Sequence, residues 1–398
     1  MCLEAADKQE LSAVCLLDQS AAYDLLCHKT LREKLSVYNF NEAAISWLMS
    51  YLGDRSQVVQ VEASSSSKLE CGDHAVPQGS VLGGLLHVIN SNDFPACHDS
   101  GESVLYVDDD SDVVRNKDPE ALRNLIETEA SNSASWLKDN RLCVAADKSK
   151  LLVLGTNQLK QSKEVPKMRI DVDGEIIEET SSEKLLGVVL NNDLTWKTHL
   201  YGDKENEGLI TQLSKRIGVM KKLSKYMSKD KLKFFASGVF YSKLSYCLPV
   251  FGNVFGLHKY KEGNTRNISY TKEDNNRLQI LQNKLNRLLL KADRYTPTSQ
   301  LLQDTGSLSI QQMIAHQTVV MAYKIINAKK PDYLARKLML VDSGRELRSS
   351  QGMIVPPAYT LGISREGFLY RPATLMNMMD ANLRRELSLE KFKSGAKN

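Results

Sequence analysis

Paired cysteines, charge of one sign and long apolar runs are all scarce in this 398-residue sequence. The seven cysteines (Cys2, Cys15, Cys27, Cys71, Cys97, Cys143, Cys247) never form a Cys-x-x-Cys pair. That excludes a zinc finger or knuckle by spacing and points to a reducing compartment. The net charge is only +4, so composition neither demands nor excludes a nucleic-acid partner, and the distribution of charge must decide. No segment offers the roughly 18–20 uninterrupted apolar residues of a membrane span. The nearest candidate, Ala236 to Leu257, is broken by Lys243, Pro249 and Asn253 and reads as a buried helix followed by a turn. The start, Met1 to Asp7, lacks the basic-then-apolar pattern of a signal peptide, so the nucleus or cytoplasm is expected. Internal repeats and long low-complexity tracts are missing too. What remains is a chain of ordinary composition, 42% apolar and 25% charged, long enough for two or three domains with ample core.

The most informative stretch is Val104-Leu105-Tyr106-Val107-Asp108-Asp109-Asp110, an apolar lead into a run of carboxylates with no lysine or arginine within three residues. Adjacent ionised carboxylates at the end of a buried strand repel one another, so a divalent metal or a proton must hold them there. An acidic turn after a short strand is the other reading, because aspartates are common in turns. Upstream, Ser12 to Leu17 is a short apolar run that reads as a buried strand ending at Asp18. Gln19 to Asp24 suits a tight strand-to-helix turn. Lys29 to Tyr38 and Asn41 to Leu52 have helical character, the second with Ala44, Ile45, Leu48 and Leu52 on one face.

Val58 to Val61 reads as a strand and Ser64 to Ser67 as a loop. Pro77-Gln78-Gly79-Ser80 then opens an apolar stretch, which suggests free backbone N–H groups at a helix start, able to meet a base, sugar or phosphate. Asp118-Pro119-Glu120 is an N-cap, a first-turn proline and an early acid, hence a second helix start. Arg141 to Gly155 returns to strand, Met168 to Ile177 forms a hairpin around Asp173-Gly174, and Leu185 to Leu190 reads as one strand.

Composition shifts near residue 205. From Lys215 to Lys233 the chain carries Lys215, Arg216, Lys221, Lys222, Lys225, Lys229, Lys231 and Lys233 against only Asp230. Leu213, Ile217, Met220 and Leu223 recur between them at helical spacing, predicting one helix with an apolar and a basic face. Such a face is either a solvated surface or a phosphate-tracking one. A polar boundary follows over Lys259 to Asp274, and further helices are expected over Leu278 to Leu289 and Ile310 to Ile326.

If the strands ending at Asp18 and at Asp108-Asp109 are neighbours, three carboxylates converge. That is a ligand set for two magnesium ions about 3.5–4 Å apart, which activate a hydroxyl and stabilise the leaving oxygens of an in-line phosphoryl displacement. Spacing alone does not make the strands adjacent, and other two-metal nucleases use the same parts. The motifs in order are more specific: Leu16-Leu17-Asp18-Gln19-Ser20-Ala21-Ala22-Tyr23-Asp24, Val76-Pro77-Gln78-Gly79-Ser80-Val81-Leu82-Gly83, Leu105-Tyr106-Val107-Asp108-Asp109, and Leu185-Leu186-Gly187-Val188 through Leu194-Thr195-Trp196-Lys197. Together they closely resemble the reverse transcriptases of non-LTR retrotransposons, the jockey-like and LINE-type elements. The resemblance reaches the tail, at Phe368 to Ala373 and Ser388 to Lys393.

That resemblance implies an α+β fold, a right-hand polymerase palm and thumb followed by a mostly helical C-terminal region. The boundaries expected are 1–203 for the palm, 204–260 for a helical thumb-like region and 261–398 for the remainder. It implies RNA-directed DNA polymerase activity on an RNA template, a DNA primer and dNTP, with no membrane involved. Asp18, Asp108 and Asp109 resemble the catalytic ligands to two Mg2+ ions. Tyr23 falls where the family has an aromatic gate that rejects a 2′-hydroxyl, its other reading being a core aromatic. Gln78 and Gly79 match the motif that meets nucleotide and template, and Lys148 fits a lysine near the triphosphate or a solvated lysine. Lys215, Arg216, Lys221, Lys222 and Lys225 are the expected nucleic-acid contacts.

Departures from the family pattern weigh on activity: Gln19, Gly84, His87, Met376 and the run Asp110-Ser111-Asp112 stand where other residue types are usual. Asp18 also lies so close to residue 1 that fingers and an upstream endonuclease are expected to be missing. The alternative to an active polymerase is therefore a truncated, catalytically inactive remnant that only binds nucleic acid.

Overall fold

The computed structural model describes residues 1–19, 23–145, 147–253, 271–341, 352–386 and 388–397. Residues 20–22 of the expected tight turn, 254–257 of the apolar candidate span and 259–270 of the expected polar boundary lie outside the described residues. The chain forms two compact units, one of residues 9–181 and one of 182–398, the second also taking up residues 3–8. Among the described residues, no helix is long and apolar enough to cross a membrane. The architecture is α+β.

Most of α1 (Cys2–Asp7) belongs to the second unit. The first unit is built on β1 (Leu11–Asp18), whose near-continuous burial fits a strand covered on both faces. Its helices are α2 (His28–Val37), α3 (Glu42–Leu52) and α4 (Val81–Ser91). Strands β2 (Glu102–Tyr106) and β3 (Asp109–Asn116) follow, then α5 (Pro119–Asp139) and β4 (Lys150–Leu154). The four strands form one sheet in the order β2-β3-β1-β4, with every neighbouring pair antiparallel. Leu11, Ala13, Cys15 and Leu17 of β1 pack with Val114 of β3 against Leu122, Ile126, Ala130 and Ala134 of α5. A hairpin of β5 (Arg169–Val172) and β6 (Glu175–Glu178) adds Ile170, Val172 and Ile177 to that core.

Caps bear out the expected helix starts. Asp118 accepts from the Ala121 N–H ahead of α5, and Ser80 accepts from the Gly83 N–H ahead of α4. A Cβ at Gly83 would sit 2.8 Å from the Pro77 carbonyl oxygen, so this turn requires glycine. Two expectations change between Val58 and Ser67: Gln60–Val61 and Ser64–Ser65 pair as a short exposed ribbon. The strand expected over Arg141 to Gly155 is confined to β4, because the stretch before it is occupied in bonding to the end of β1.

The second unit is mostly helical. It begins with β7 (Ser182–Leu185) and β8 (Val188–Asn191), a hairpin and not the single strand expected, because Leu186 and Gly187 both have positive φ, +47° and +82°. Then come α6 (Leu209–Leu223) and α7 (Lys229–Ala236), followed by α8 (Lys272–Leu290) and α9 (Ile310–Ala328). The one basic helix expected over Lys215 to Lys233 is thus two. Ser224 ends the first and Ser228 precedes the second, and hydroxyl residues favour helix boundaries over interiors. Capping boxes, Thr271 with Asp274 and Ser309 with Gln312, start α8 and α9. Leu213, Met220, Leu232, Phe240, Leu285 and Ile314 lie in its main core.

Candidate active site

Asp18 is the last residue of β1, and the loop before β4 fixes it there. The Ala145 N–H donates to the Asp18 carbonyl at 2.9 Å, and the Asp18 N–H donates to Ser149 Oγ at 3.3 Å. Ser149 Oγ in turn donates to the Ala145 carbonyl at 2.9 Å. In the β1–β3 register Asp18 lies directly opposite Asp109, and Tyr106 of β2 lies opposite Asp109 from the other side. Residues so paired point to the same face of the sheet, with Cβ atoms about 4.5–5.5 Å apart. Asp108 sits in the two-residue turn between β2 and β3. Its neighbour Val107 has φ +62°, a costly conformation for a β-branched residue. The structure therefore brings Asp18, Asp108 and Asp109 to one end of one sheet.

The electrostatics follow from that placement. Desolvation, then the charges of Asp108 and Asp18, raise the Asp109 carboxyl above its ordinary range. The cation at hand is Lys148, its Nζ 3.7 Å from Asp18 Oδ2. Both side chains are well exposed, so the pair contributes about 0–1 kcal/mol. Three hard oxygen donors that repel one another suit a divalent cation in kind. Among the described residues, however, no three His, Cys, Asp or Glu side chains are already gathered into a metal-holding group.

Beside the carboxylates, the Tyr23 ring stacks on His87 of α4, centroids 4.9 Å apart and planes 24° from parallel. His87 is buried; desolvation lowers its pKa while the Asp108 charge works in the opposite sense. Gln78 Nε2 donates to Asp24 Oδ1 at 3.0 Å, and Gly79 adopts φ +74° at the turn into α4. Tyr23, Gln78, Gly79 and Lys148 all lie in the same unit as the three aspartates.

The sequence reading did not foresee what lies behind the hairpin. Asp110 and Asp112 point to the α5 face and are buried, not turned out to water as an acidic run suggests. His98 Nε2 lies 2.6 Å from Asp112 Oδ1, Ser133 Oγ of α5 donates to Asp112 Oδ2 at 2.7 Å, and Ser103 Oγ donates to Asp110 Oδ1 at 3.1 Å. Burial and the Asp112 charge push the Asp110 carboxyl up to about 8. Burial works against the His98 imidazolium, but the hydrogen bond and charge of Asp112 overcome it and raise the pKa. Glu129 of α5 completes the support, accepting from the backbone N–H groups of Ser100 and Gly101 at 2.6 and 2.9 Å. No periodicity links these residues in sequence, so no local signal announces them.

In the second unit, Lys221, Lys222 and Lys225 are exposed at the end of α6 and just beyond it. Lys215 pairs with Glu207 at 2.5 Å, and Arg216 turns its guanidinium to the Val239 carbonyl. Burial, then Arg216 and Lys184, lower the pKa of Lys243, so these three cations share one positive patch. Lys184 and Lys243 were not among the expected contacts, because β7 and the Ser242–Ser245 helix lie apart from α6 in sequence.

No protein-family model matches the chain. A probable RNA-directed DNA polymerase from transposon BS of Drosophila melanogaster is 27% identical over 357 residues, covering 87% of this chain and 36% of that protein. The RNA-directed DNA polymerase from mobile element jockey of Drosophila funebris is 24% identical over 353 residues, 84% of this chain and 34% of that protein. Among solved structures, telomerase from Candida tropicalis, in complex with a fragment of telomeric RNA, aligns with 75% of this chain and 49% of its own. Its TM-score of 0.35 and identity of 12% are too low for that likeness to bear on the site. This chain spans 36% and 34% of the length of the two curated relatives. Over most of its own length it is related to the RNA-directed DNA polymerases of jockey-like and other non-LTR transposons.

Proposed function

We propose that this chain carries the catalytic sheet of an RNA-directed DNA polymerase, which joins a deoxynucleotide to a primer 3′-hydroxyl opposite an RNA template. The observation that carries the reading is the register of Asp18 opposite Asp109 with Asp108 in the adjoining turn. Asp18, Asp108 and Asp109 would hold two magnesium ions, which when bound lower the pKa of the primer hydroxyl and offset charge on the leaving pyrophosphate. The raised pKa of Asp109 supports this, because after desolvation its causes are the charges of Asp108 and Asp18, which a divalent ion would offset. Lys148 neutralises Asp18 while no divalent ion is bound, then turns to the triphosphate. Tyr23, held by His87 and by the Val76 N–H donating to its carbonyl at 2.9 Å, stands under the sugar as the gate against a 2′-hydroxyl. Gln78 and Gly79 meet the nucleotide and the template at the start of α4.

The first unit is read as the palm. Lys215, Arg216, Lys221, Lys222 and Lys225, joined by Lys184 and Lys243, are read as a thumb-like surface for the phosphates of primer and template. Two observations favour a second reading, a remnant that binds nucleic acid without catalysis: the Lys148–Asp18 pair, and the lack of a ready-gathered ligand group among the described residues. Primer extension on an RNA template with magnesium, comparing the chain with an Asp108→Asn, Asp109→Asn double variant, separates them. Extension by the parent that disappears in the variant establishes the polymerase. A folded parent that binds primer-template without extending it establishes the remnant.

A further inference from the structure

Along one side of α3 the residues Trp47, Tyr51 and Arg55 recur every fourth position, one above the next on a helical face and just past its end, with Tyr51 half-buried against the core. Trp47 is 59% exposed, an unusual placement for the largest side chain. Its ring is nearly parallel to that of Tyr51, centroids 6.3 Å apart and planes 14° from parallel. The Arg55 guanidinium lies over the other end of this stack, 4.5 Å from the Tyr51 centroid, and its Nε donates to the Tyr51 carbonyl at 2.7 Å. Among the described residues Arg55 has no carboxylate partner. Arg55 also lines a cavity of about 530 Å3 together with Gln57, His74, Pro77, Asp24 and Gln78. That volume falls in the range of small-ligand sites.

We infer that Trp47, Tyr51 and Arg55 form a stacking platform for unpaired nucleic-acid bases, and that the cavity beyond it leads the strand to Gln78. The inference rests on the polymerase reading for the purpose of the strand, an unpaired template segment, but not for its chemistry. Flat aromatic faces set parallel on a rigid helix suit bases, whose stacking is insensitive to sequence. An arginine held flat at the end of the stack, with its charge unspent, suits the phosphate that links them. A duplex keeps its bases stacked on each other and gains little from such a surface.

Fluorescence anisotropy with a labelled oligouridine and with a blunt RNA duplex, on the full chain without divalent ions or dNTP, tests this. Trp47→Ala with Tyr51→Ala is expected to weaken oligouridine binding about 5- to 100-fold. Trp47→Phe with Tyr51→Phe keeps it within about twofold, because the flat faces remain. Arg55→Gln lowers the salt slope by about 0.7, the loss of one phosphate contact on a single strand. Duplex affinity stays level in all of them. Oligouridine affinity that is unchanged on removing the rings, that falls in step with duplex affinity, or that is undetectable in the parent overturns the inference. Should circular dichroism show the double alanine variant unfolded, Trp47→Ser, at the more exposed ring, gives the same reading alone. A chain that binds oligouridine through these rings yet extends no primer keeps the platform and removes the polymerase; the reverse pattern does the opposite.

Discussion

Polar groups are buried differently behind the sheet of the first unit and along α8 of the second. Behind its sheet the first unit buries ionisable groups: Asp110, Asp112 and Glu129 lie inside with the His98 imidazole, tied by serine hydroxyls and backbone N–H groups. Along the middle of α8 the second unit buries neutral amides, although Asp274, Glu366, Arg371 and Arg384 are buried in it as well. Gln282 Nε2 donates to the Leu308 carbonyl, Asn283 Nδ2 to Thr298 Oγ1, and Asn286 Oδ1 accepts from the Tyr241 hydroxyl. Its buried His199 is neutral by preference, because burial, then the Lys243 charge, lower its pKa to about 4. An ionic interior fixes geometry at the risk of a large loss when one partner goes, whereas an amide interior loses about 1–3 kcal/mol per group. The carboxylate hairpin is backed by the riskier of these two solutions.

The largest expected effect sharpens that contrast directly. Asp112→Ala strands the buried His98 ring and Ser133, and below pH 6.5 should cost the sheet unit about 3–5 kcal/mol. Asn283→Ala in the helical unit should cost about 1–3 kcal/mol. Trp136, edge-on to Phe94 in the sheet unit, and Trp196, against the helical core, report the two separately in denaturant. Equal losses would erase the distinction between the two interiors.

Next in size is the pH response, which should have opposite signs. His199 has a lowered pKa, so its contribution is complete above pH 6.5 and is lost as pH falls toward about 4, at most about 3 kcal/mol. His98 has a raised pKa, so its contribution is complete below pH 6.5 and is lost as pH rises through the folded value. Hydrogen exchange across this range should show helical amides opening toward acid and amides of β2 and β3 toward alkali, and His199→Gln should flatten the first slope. Slopes of the same sign in both units would break the comparison.

Two smaller effects test the hairpin alone. Val107→Gly relieves a positive φ and should stabilise the sheet unit by about 1 kcal/mol in thermal or denaturant unfolding. Lys148→Met should change that stability by less than about 1 kcal/mol, while strengthening Mn2+ binding measured by calorimetry, because Asp18 loses its competing cation. Weaker Mn2+ binding in this variant would remove the idea that Lys148 competes for Asp18.

Much of this was legible in the sequence wherever a local rule sufficed. Asp118 before Pro119 and Ser80 before Val81 announce helix starts through the side-chain oxygens that cap them. The apolar run into Asp18 announces β1 through burial alone. What escaped depends on neighbours far along the chain. The inward turn of Asp110 and Asp112 is set by their pairing opposite Leu17 and Cys15, with compensation from Ser103 and from His98 and Ser133. The break between α6 and α7 escaped because the apolar spacing continues through Leu223 and Met227, and only the serines at 224 and 228 mark the boundary. Opposition of Asp18 and Asp109 is a fact of register, which no single strand carries in its own residues.

The allotment of α1 has a consequence for how the helical unit folds. Glu4 accepts from Lys337 Nζ at 2.7 Å and from the Tyr359 hydroxyl at 3.2 Å, and Asp7 accepts from the backbone N–H groups of Thr360 and Leu361 at 2.9 and 2.7 Å. These contacts join residues 333 to 355 positions apart, so they close late in folding. The sheet unit, continuous over residues 9–181, needs no such return of the chain, whereas the helical unit is completed by a segment at least 333 residues before its partners.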